Sequence, residues 1–323
     1  MAIDSREMRK LAAKWQTGTH WPKRLEFIEI SGVRGWSGQR VSFGFPFIAI
    51  AGENGVGKST ILQAIASIYR SPVEDERSMF ASSFFPDTPW DKIRNATIEY
   101  QVREGKGSTR GSIQKPTDRW RETPERRKRL IRFVDLRRIQ AMASRVGYQR
   151  IAKALNKETN RQMFEPEALR RLSSIMGRTY DSAGVALSNV DENRWVPIAS
   201  LRSEQYSGFH HGAGELALVD LLKMDFPKYS MVLIDEFKTS LHPRAQRRLV
   251  HELADLCRVH ELQIVITTHS PYVMAELPEH GRMYIMNSPT EKILVAWKAS
   301  NQSVVGDEKP TQKNRSPKCQ TKS

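Results

Sequence analysis

Eight consecutive residues, Gly52-Glu53-Asn54-Gly55-Val56-Gly57-Lys58-Ser59, set glycines, a lysine and a hydroxyl at the spacing G-x-x-x-x-G-K-S. That is the spacing of a phosphate-binding P-loop. Its glycines let the backbone wrap closely around an anion, and its amides, with the N-terminus of the next helix, point positive dipole at it. Lys58 is expected to reach the β- and γ-phosphates of ATP, and Ser59 to place its hydroxyl on Mg²⁺, with Thr60 completing the segment. The flanks agree. Residues 47–51 are an apolar run that reads as a buried strand, and Ile61, Leu62, Ile65 and Ile68 recur at helical spacing. A strand before and a helix after is the context this motif requires.

A second constellation lies downstream. Met231-Val232-Leu233-Ile234 runs into Asp235 and Glu236. A buried strand ending in Asp delivers a carboxylate to Mg²⁺ at the carboxyl edge of a parallel sheet, and the adjacent Glu is suited to act as general base or to polarise the attacking water. Thr267-Thr268-His269-Ser270 closes the next apolar run, placing His269 where it can contact the γ-phosphate. Gly212-Ala213-Gly214-Glu215 opens a helix, and small residues at a helix start form an anion site from backbone amides. Each segment alone has an ordinary explanation: a charged turn, a hydrogen-bonded turn histidine, a flexible helix start. Beside a P-loop they read as one nucleotide site.

The elements that must position these residues follow from the pattern of the 323-residue chain. Residues 1–22 read as an amphipathic lead-in helix ending in a turn at Trp21-Pro22. Strands are expected at about 25–30 and within 33–44, as an antiparallel flap beside the nucleotide. Further strands are expected at 93–102, 130–136, 230–235, 262–267 and 293–297, with a loop or hairpin tip at 104–112. Helices are expected at 141–155, 166–176 and 244–259, the last with Leu249, Leu253 and Leu256 on one face. The organisation expected is one domain over 23–298, with a helical and basic insertion at about 71–200, and a disordered basic tail over 299–323.

Bulk properties narrow the partners. A net charge of +15, with basic residues concentrated at 119–138, favours acidic partners and nucleic acid above all. A solvated face with internal ion pairs is the alternative for that stretch. Two cysteines give no disulfide framework, so a reducing cytoplasm is expected. No apolar run reaches the length of a membrane span, and the charged N-terminus lacks the apolar core of a secretory signal.

In order along the chain, residues 52–59, Gly212-Ala213-Gly214-Glu215, Ile234-Asp235-Glu236, Ser240-Leu241-His242-Pro243 and Thr268-His269-Ser270 resemble the motif series of ABC-type ATPases of the SMC-like branch. The resemblance spans residues 25–290, and the phrase from Glu236 through Pro243 resembles the ATPase domain of overcoming-lysogenisation (OLD) nucleases and related AAA-like ATPases of bacterial defence. It implies an α/β P-loop NTPase, an ABC-type head with a mixed sheet, an antiparallel flap and an inserted helical lobe. It also implies a homodimer closed head to tail around ATP and Mg²⁺. Gly212, Ala213, Gly214 and Glu215 of one protomer then face the P-loop, Asp235 and Glu236 of the other. Lys58, Glu236 and His269 are the catalytic residues, Ser59 and Asp235 hold Mg²⁺, and Ser240 lies in the D-loop. Gln140 is the candidate Q-loop residue, with Gln101 second. Two departures stand out: no signature serine precedes Gly212, and Lys238 follows the catalytic carboxylates. The Toprim nuclease domain of OLD proteins is also not expected here, which suggests an ATPase working with a separate DNA-acting or nuclease subunit. The readings left open are a transporter-type ATPase subunit and a nucleotide-gated interaction protein with little hydrolysis.

Overall fold

The computed structural model describes residues 5–74, 78–123, 125–136, 142–152, 157–237, 241–288 and 292–296. In chain order, α1 (Arg6–Gln16), β1 (Lys23–Val33), β2 (Trp36–Ser42) and β3 (Phe47–Gly52) lead into α2 (Lys58–Ile68) and a single turn, α3 (Ala81–Phe84). Then come β4 (Ala96–Glu104), β5 (Gly107–Lys115), β6 (Arg121–Thr123), β7 (Ile131–Asp135), α4 (Tyr148–Ile151), β8 (Glu158–Met163), α5 (Pro166–Met176), β9 (Ser182–Ser188), β10 (Asp191–Leu201) and β11 (Glu204–Ser207). The chain closes with α6 (Ala213–Leu222), β12 (Met231–Asp235), α7 (Pro243–His260), β13 (Gln263–Thr267), α8 (Pro271–Glu276), β14 (Arg282–Asn287) and β15 (Lys292–Ala296).

The strands form three sheets. The central one runs β15-β14-β3-β13-β12-β7, parallel throughout except that β15 turns back antiparallel on β14. Strands β3, β12 and β13 are buried at every position, as continuous apolar strands of a covered parallel sheet must be. The flap is an antiparallel sheet, β2-β1-β4-β5-β6, and alternates as a half-buried sheet should. In β4, Ala96, Ile98, Tyr100 and Val102 face the core while Glu99 is exposed. The third sheet, β11-β10-β9-β8, is antiparallel; α6 packs on its β10, and α5 packs on α6 and α7. Helix α1 packs on α7: Lys14 Nζ donates to Arg258 O and Glu261 Oε1, both at 2.9 Å, and Trp21 Nε1 donates to Leu262 O at 2.7 Å.

The α/β class, mixed sheet and antiparallel flap are as the sequence suggests. The insertion differs: it is richer in strand than in helix. Of the two helices expected there, 166–176 forms as α5, but 141–155 shows only a 3-10 turn at Met142–Ser144 and the one-turn α4 among its described residues. Gly147, in the left-handed region at φ 87°, breaks any continuous helix between them. Of the two readings of 104–112, the hairpin tip is the one that forms: Gly105 and Lys106 turn β4 into the antiparallel β5, which begins at Gly107. The basic tail over 299–323 lies outside the described residues.

The basic stretch is divided. Arg126 is 5% exposed, and its Nη1 donates to Ser67 O, Tyr69 O and Met79 O at 3.1, 3.3 and 2.7 Å, joining the end of α2 to the segment that leads into α3. Arg129 is 3% exposed and donates to Tyr229 O at 2.8 Å and Gln263 Oε1 at 3.0 Å. Both guanidiniums satisfy buried acceptors and are closed to an external partner. Removing one leaves those carbonyls unpaired. Replacing Arg126 with Leu is therefore expected to lower unfolding free energy in urea by about 2–4 kcal/mol. Arg121→Gln, on the exposed β6, should change it by less than about 0.5 kcal/mol.

Candidate functional site

The P-loop joins β3 to α2 through three glycines with positive φ: Gly52 at 152°, Gly55 at 77° and Gly57 at 99°. Two of them are also sterically required. A Cβ on Gly52 would stand 2.4 Å from Ile285 O of β14, and one on Gly57 2.5 Å from Trp36 Nε1 of β2. Lys58 opens α2 and is 5% exposed. Its Nζ donates back to Gly52 O at 2.9 Å and Glu53 O at 2.7 Å, so the ammonium closes over the loop it follows. Val56 is buried beneath, while Glu53, Asn54 and Gly55 form the exposed crest.

Three strand ends converge beside the loop. Ile234 pairs with Ile266 and Thr267 with Ile50, which sets Asp235, Thr267 and the end of β3 side by side. Asp235 is fully buried, and its Oδ1 accepts from Ser59 Oγ at 3.1 Å and from Thr267 Oγ1 at 2.6 Å. Glu236 follows in the left-handed region at φ 58°, its amide donating to Thr267 Oγ1 at 2.8 Å. Its Oε1 lies 3.6 Å from His269 Nε2, and both side chains keep solvent access. A hydroxyl and a carboxylate, both hard oxygen donors, meet at Ser59–Asp235. The pair fits Mg²⁺, which takes few protein oxygens and leaves its remaining positions to water and phosphate. Asp135 of β7 pairs in register with Asp235 and places a second carboxyl at this edge.

The four residues expected to reach across a dimer are held differently from one another. Gly212 caps α6 in extended backbone, and Ala213 begins the helix. Glu215 is 6% exposed and turned inward: its Oε1 accepts from Tyr180 Oη at 2.6 Å and Tyr206 Oη at 2.8 Å. Burial and the neighbouring Glu215 push the Tyr180 hydroxyl up and raise that of Tyr206 to about 12. Glu215 thus anchors α6 to the third sheet and exposes almost nothing to a ligand. His211, 7% exposed, stacks edgewise on Tyr206 at 4.8 Å, and burial lowers its pKa. His242 caps α7, accepting from Arg244 N at 3.3 Å. Ser240, Lys238 and Gln140 lie outside the described residues. The second Q-loop candidate, Gln101, belongs to the flap, where its Nε2 donates to Glu26 Oε2 at 2.6 Å.

Two family models match parts of the chain: "AAA domain, putative AbiEii toxin, Type IV TA system" over residues 120–275, and "AAA domain" over residues 28–165. Among solved structures, the SMC head domain from Thermotoga maritima matches at 16% identity and a TM-score of 0.52, over 85% of this chain and 100% of that one. The fold is that of an SMC-type ATPase head. An SMC head bound to the C-winged helix domain of ScpA matches at 14% identity and a TM-score of 0.53, over 87% of this chain and 99% of that one. The SMC head with an extended coiled coil from Pyrococcus furiosus, bound to the C-terminal domain of ScpA, matches at 12% and 0.52, over 88% and 98%. No curated protein matches the chain in sequence. Among the described residues no helix is long and apolar enough to cross a membrane.

In this fold the expected P-loop, Asp235, Glu236 and His269 come together at one sheet edge. The Gly212–Glu215 turn belongs to α6, which packs on α5 and β10, whereas α2 packs on β1, β3, β12 and β13. Sequence reasoning missed the roles of Thr267 and Asp135, although both end strands it had drawn, and it missed Trp36 and Lys292, which no local pattern marks. Thr267 is the hub, donating to Asp235 and accepting from Glu236. Thr267→Val is expected to cost about 2 kcal/mol in urea unfolding, since it strands the Glu236 amide, whereas Thr267→Ser, which keeps the hydroxyl, should cost less than half as much.

Proposed function

We propose that the chain is a cytoplasmic ATP-hydrolysing switch of the OLD-like kind, which closes as a head-to-tail homodimer around ATP and Mg²⁺. The observation that carries this reading is Glu236 Oε1 facing His269 Nε2 at 3.6 Å, beside the Ser59–Asp235 pair. A general base, a proton-bearing ring and a metal-binding pair on one edge are the parts that in-line phosphoryl transfer needs. When bound at Ser59 and Asp235, Mg²⁺ supplies charge neutralisation on the β- and γ-phosphate oxygens. Glu236 takes the proton of the attacking water, which adds to the γ-phosphorus as the bond to the β–γ bridging oxygen breaks. His269 donates a hydrogen bond to the transferring phosphoryl group, and Lys58 turns from its loop carbonyls to the phosphates. In the dimer, the amides at Gly212, Ala213 and Gly214 of the partner add positive dipole at the γ-phosphate. Glu215 supports that turn from within rather than touching nucleotide.

Coupling to DNA, or to a nuclease or other effector subunit in phage defence, is the second half of the proposal. It is supported by the net charge of +15 and by Arg119, Arg121, Arg127 and Lys128, which stay exposed in the basic stretch.

Turnover with and without double-stranded DNA tests both halves. Glu236→Gln should lower kcat by about 10²–10⁴-fold while retaining ATP, and should elute as a dimer only with ATP. Lys58→Ala should lose nucleotide binding. A Glu236→Gln protein that stays monomeric with bound ATP would overturn the sandwich. DNA-independent turnover would move the coupling to a protein partner.

A further inference from the structure

Lys292, the first residue of β15, reaches the P-loop from behind. It is 7% exposed, and its Nζ donates to Val56 O at 2.9 Å and to Asn287 Oδ1 at 3.2 Å. The ammonium also sits 5.7 Å from the centre of the Trp36 ring, whose Nε1 is the atom that crowds Gly57. Among the described residues no carboxylate lies within ion-pairing distance of Lys292. Burial lowers its pKa. Burying an ammonium is costly unless acceptors meet it, and this one is met by a carbonyl of the phosphate loop and by the Asn287 side chain.

The geometry of that peptide gives the cation a use. A trans peptide points its carbonyl and its N–H in opposite directions. Val56 O and the Gly57 amide belong to the same unit, so a donor that holds Val56 O from outside the loop turns the Gly57 N–H to the opposite side. A cation on the carbonyl also polarises the unit and strengthens that N–H as a donor. We propose that Lys292 is a second lysine of the nucleotide site: a positioning residue that fixes and polarises the Val56–Gly57 peptide so that the Gly57 amide binds the β-phosphate of ADP or ATP. The role rests on the ATPase reading above. It also makes the β14–β15 hairpin part of the nucleotide site, so phosphate binding and hairpin docking are reciprocally coupled.

The test is equilibrium binding of ADP and ATP to the wild type and to Lys292→Met, with steady-state kinetics. Loss of one charge-assisted hydrogen bond predicts about tenfold weaker binding of ADP and ATP alike, with KM raised by a similar factor and kcat within about twofold. A merely structural lysine would lower thermal stability and leave both affinities unchanged, and that result would overturn the proposal. A readout on the wild type needs no variant: saturating ADP should slow amide exchange in Lys292–Ala296, and unchanged exchange there would overturn the proposal equally. Failure of the wild type to bind either nucleotide would instead sink the ATPase reading itself, so the two failures are distinct.

Discussion

The site depends on a carboxyl group that has no contact with water. Burying such a group costs several kcal/mol unless donors meet it, and Asp235 is met at Oδ1 by Ser59 from the P-loop helix and Thr267 from the neighbouring strand. Those two bonds tie β12, β13 and α2 together at a single atom. The loop that cradles phosphate, the strand that offers the metal ligand and the strand that carries His269 therefore hold a common frame. Thr267 extends the frame by one residue, since the oxygen that donates to Asp235 also accepts the Glu236 amide. The left-handed backbone at Glu236 follows from this: the chain turns out of β12 at once, and its side chain leaves the buried layer for the rim where His269 waits.

Parallel topology explains why everything chemical is at one edge. Strands β7, β12, β13, β3 and β14 all point the same way, so Asp135, Asp235, Thr267, Gly52 and Asn287 are strand ends along one rim. Close packing there selects residues with no side chain. Gly52 passes so near Ile285 O that any Cβ would collide with backbone, which cannot move aside as a flexible side chain can. The same crowding lets Lys292, distant in sequence, touch the loop from the far side.

How much of this was legible in the sequence depends on the range of the interactions. The P-loop and its helix are a local code, and Gly52 to Ser59 fall where that code says. Asp235, Glu236 and His269 were legible because each ends an apolar run, and strand ends of a parallel sheet share an edge. Glu215 was misread as facing nucleotide because its fate lies with Tyr180 and Tyr206, which no pattern around Gly212 announces. The third sheet was missed for a related reason. Strand β8, Glu-Thr-Asn-Arg-Gln-Met, is exposed at every position and carries no apolar alternation to reveal it. Helix α5 was found because an amphipathic helix buries a stripe that repeats within a few residues: Leu172 and Ile175 lie on it.

The basic stretch shows why charge read from sequence overstates what a surface offers. Arg126 and Arg129 look no different from Arg121 or Arg127 in a string of cations. Yet they are among the most buried polar residues of the chain, because the end of α2 and the start of β12 leave carbonyls that only a forked, permanently charged donor can reach together. A guanidinium in that position stabilises the fold by satisfying acceptors that water would otherwise have to enter to reach. Its donors are then committed to those acceptors and out of contact with any external phosphate. Among the described residues of the stretch, those exposed to an acidic partner are Arg119, Arg121, Arg127 and Lys128, and even there Arg127 already faces Glu104 at 3.7 Å. Among the described residues of the stretch, affinity for a polyanion therefore depends on these exposed side chains and not on Arg126 or Arg129.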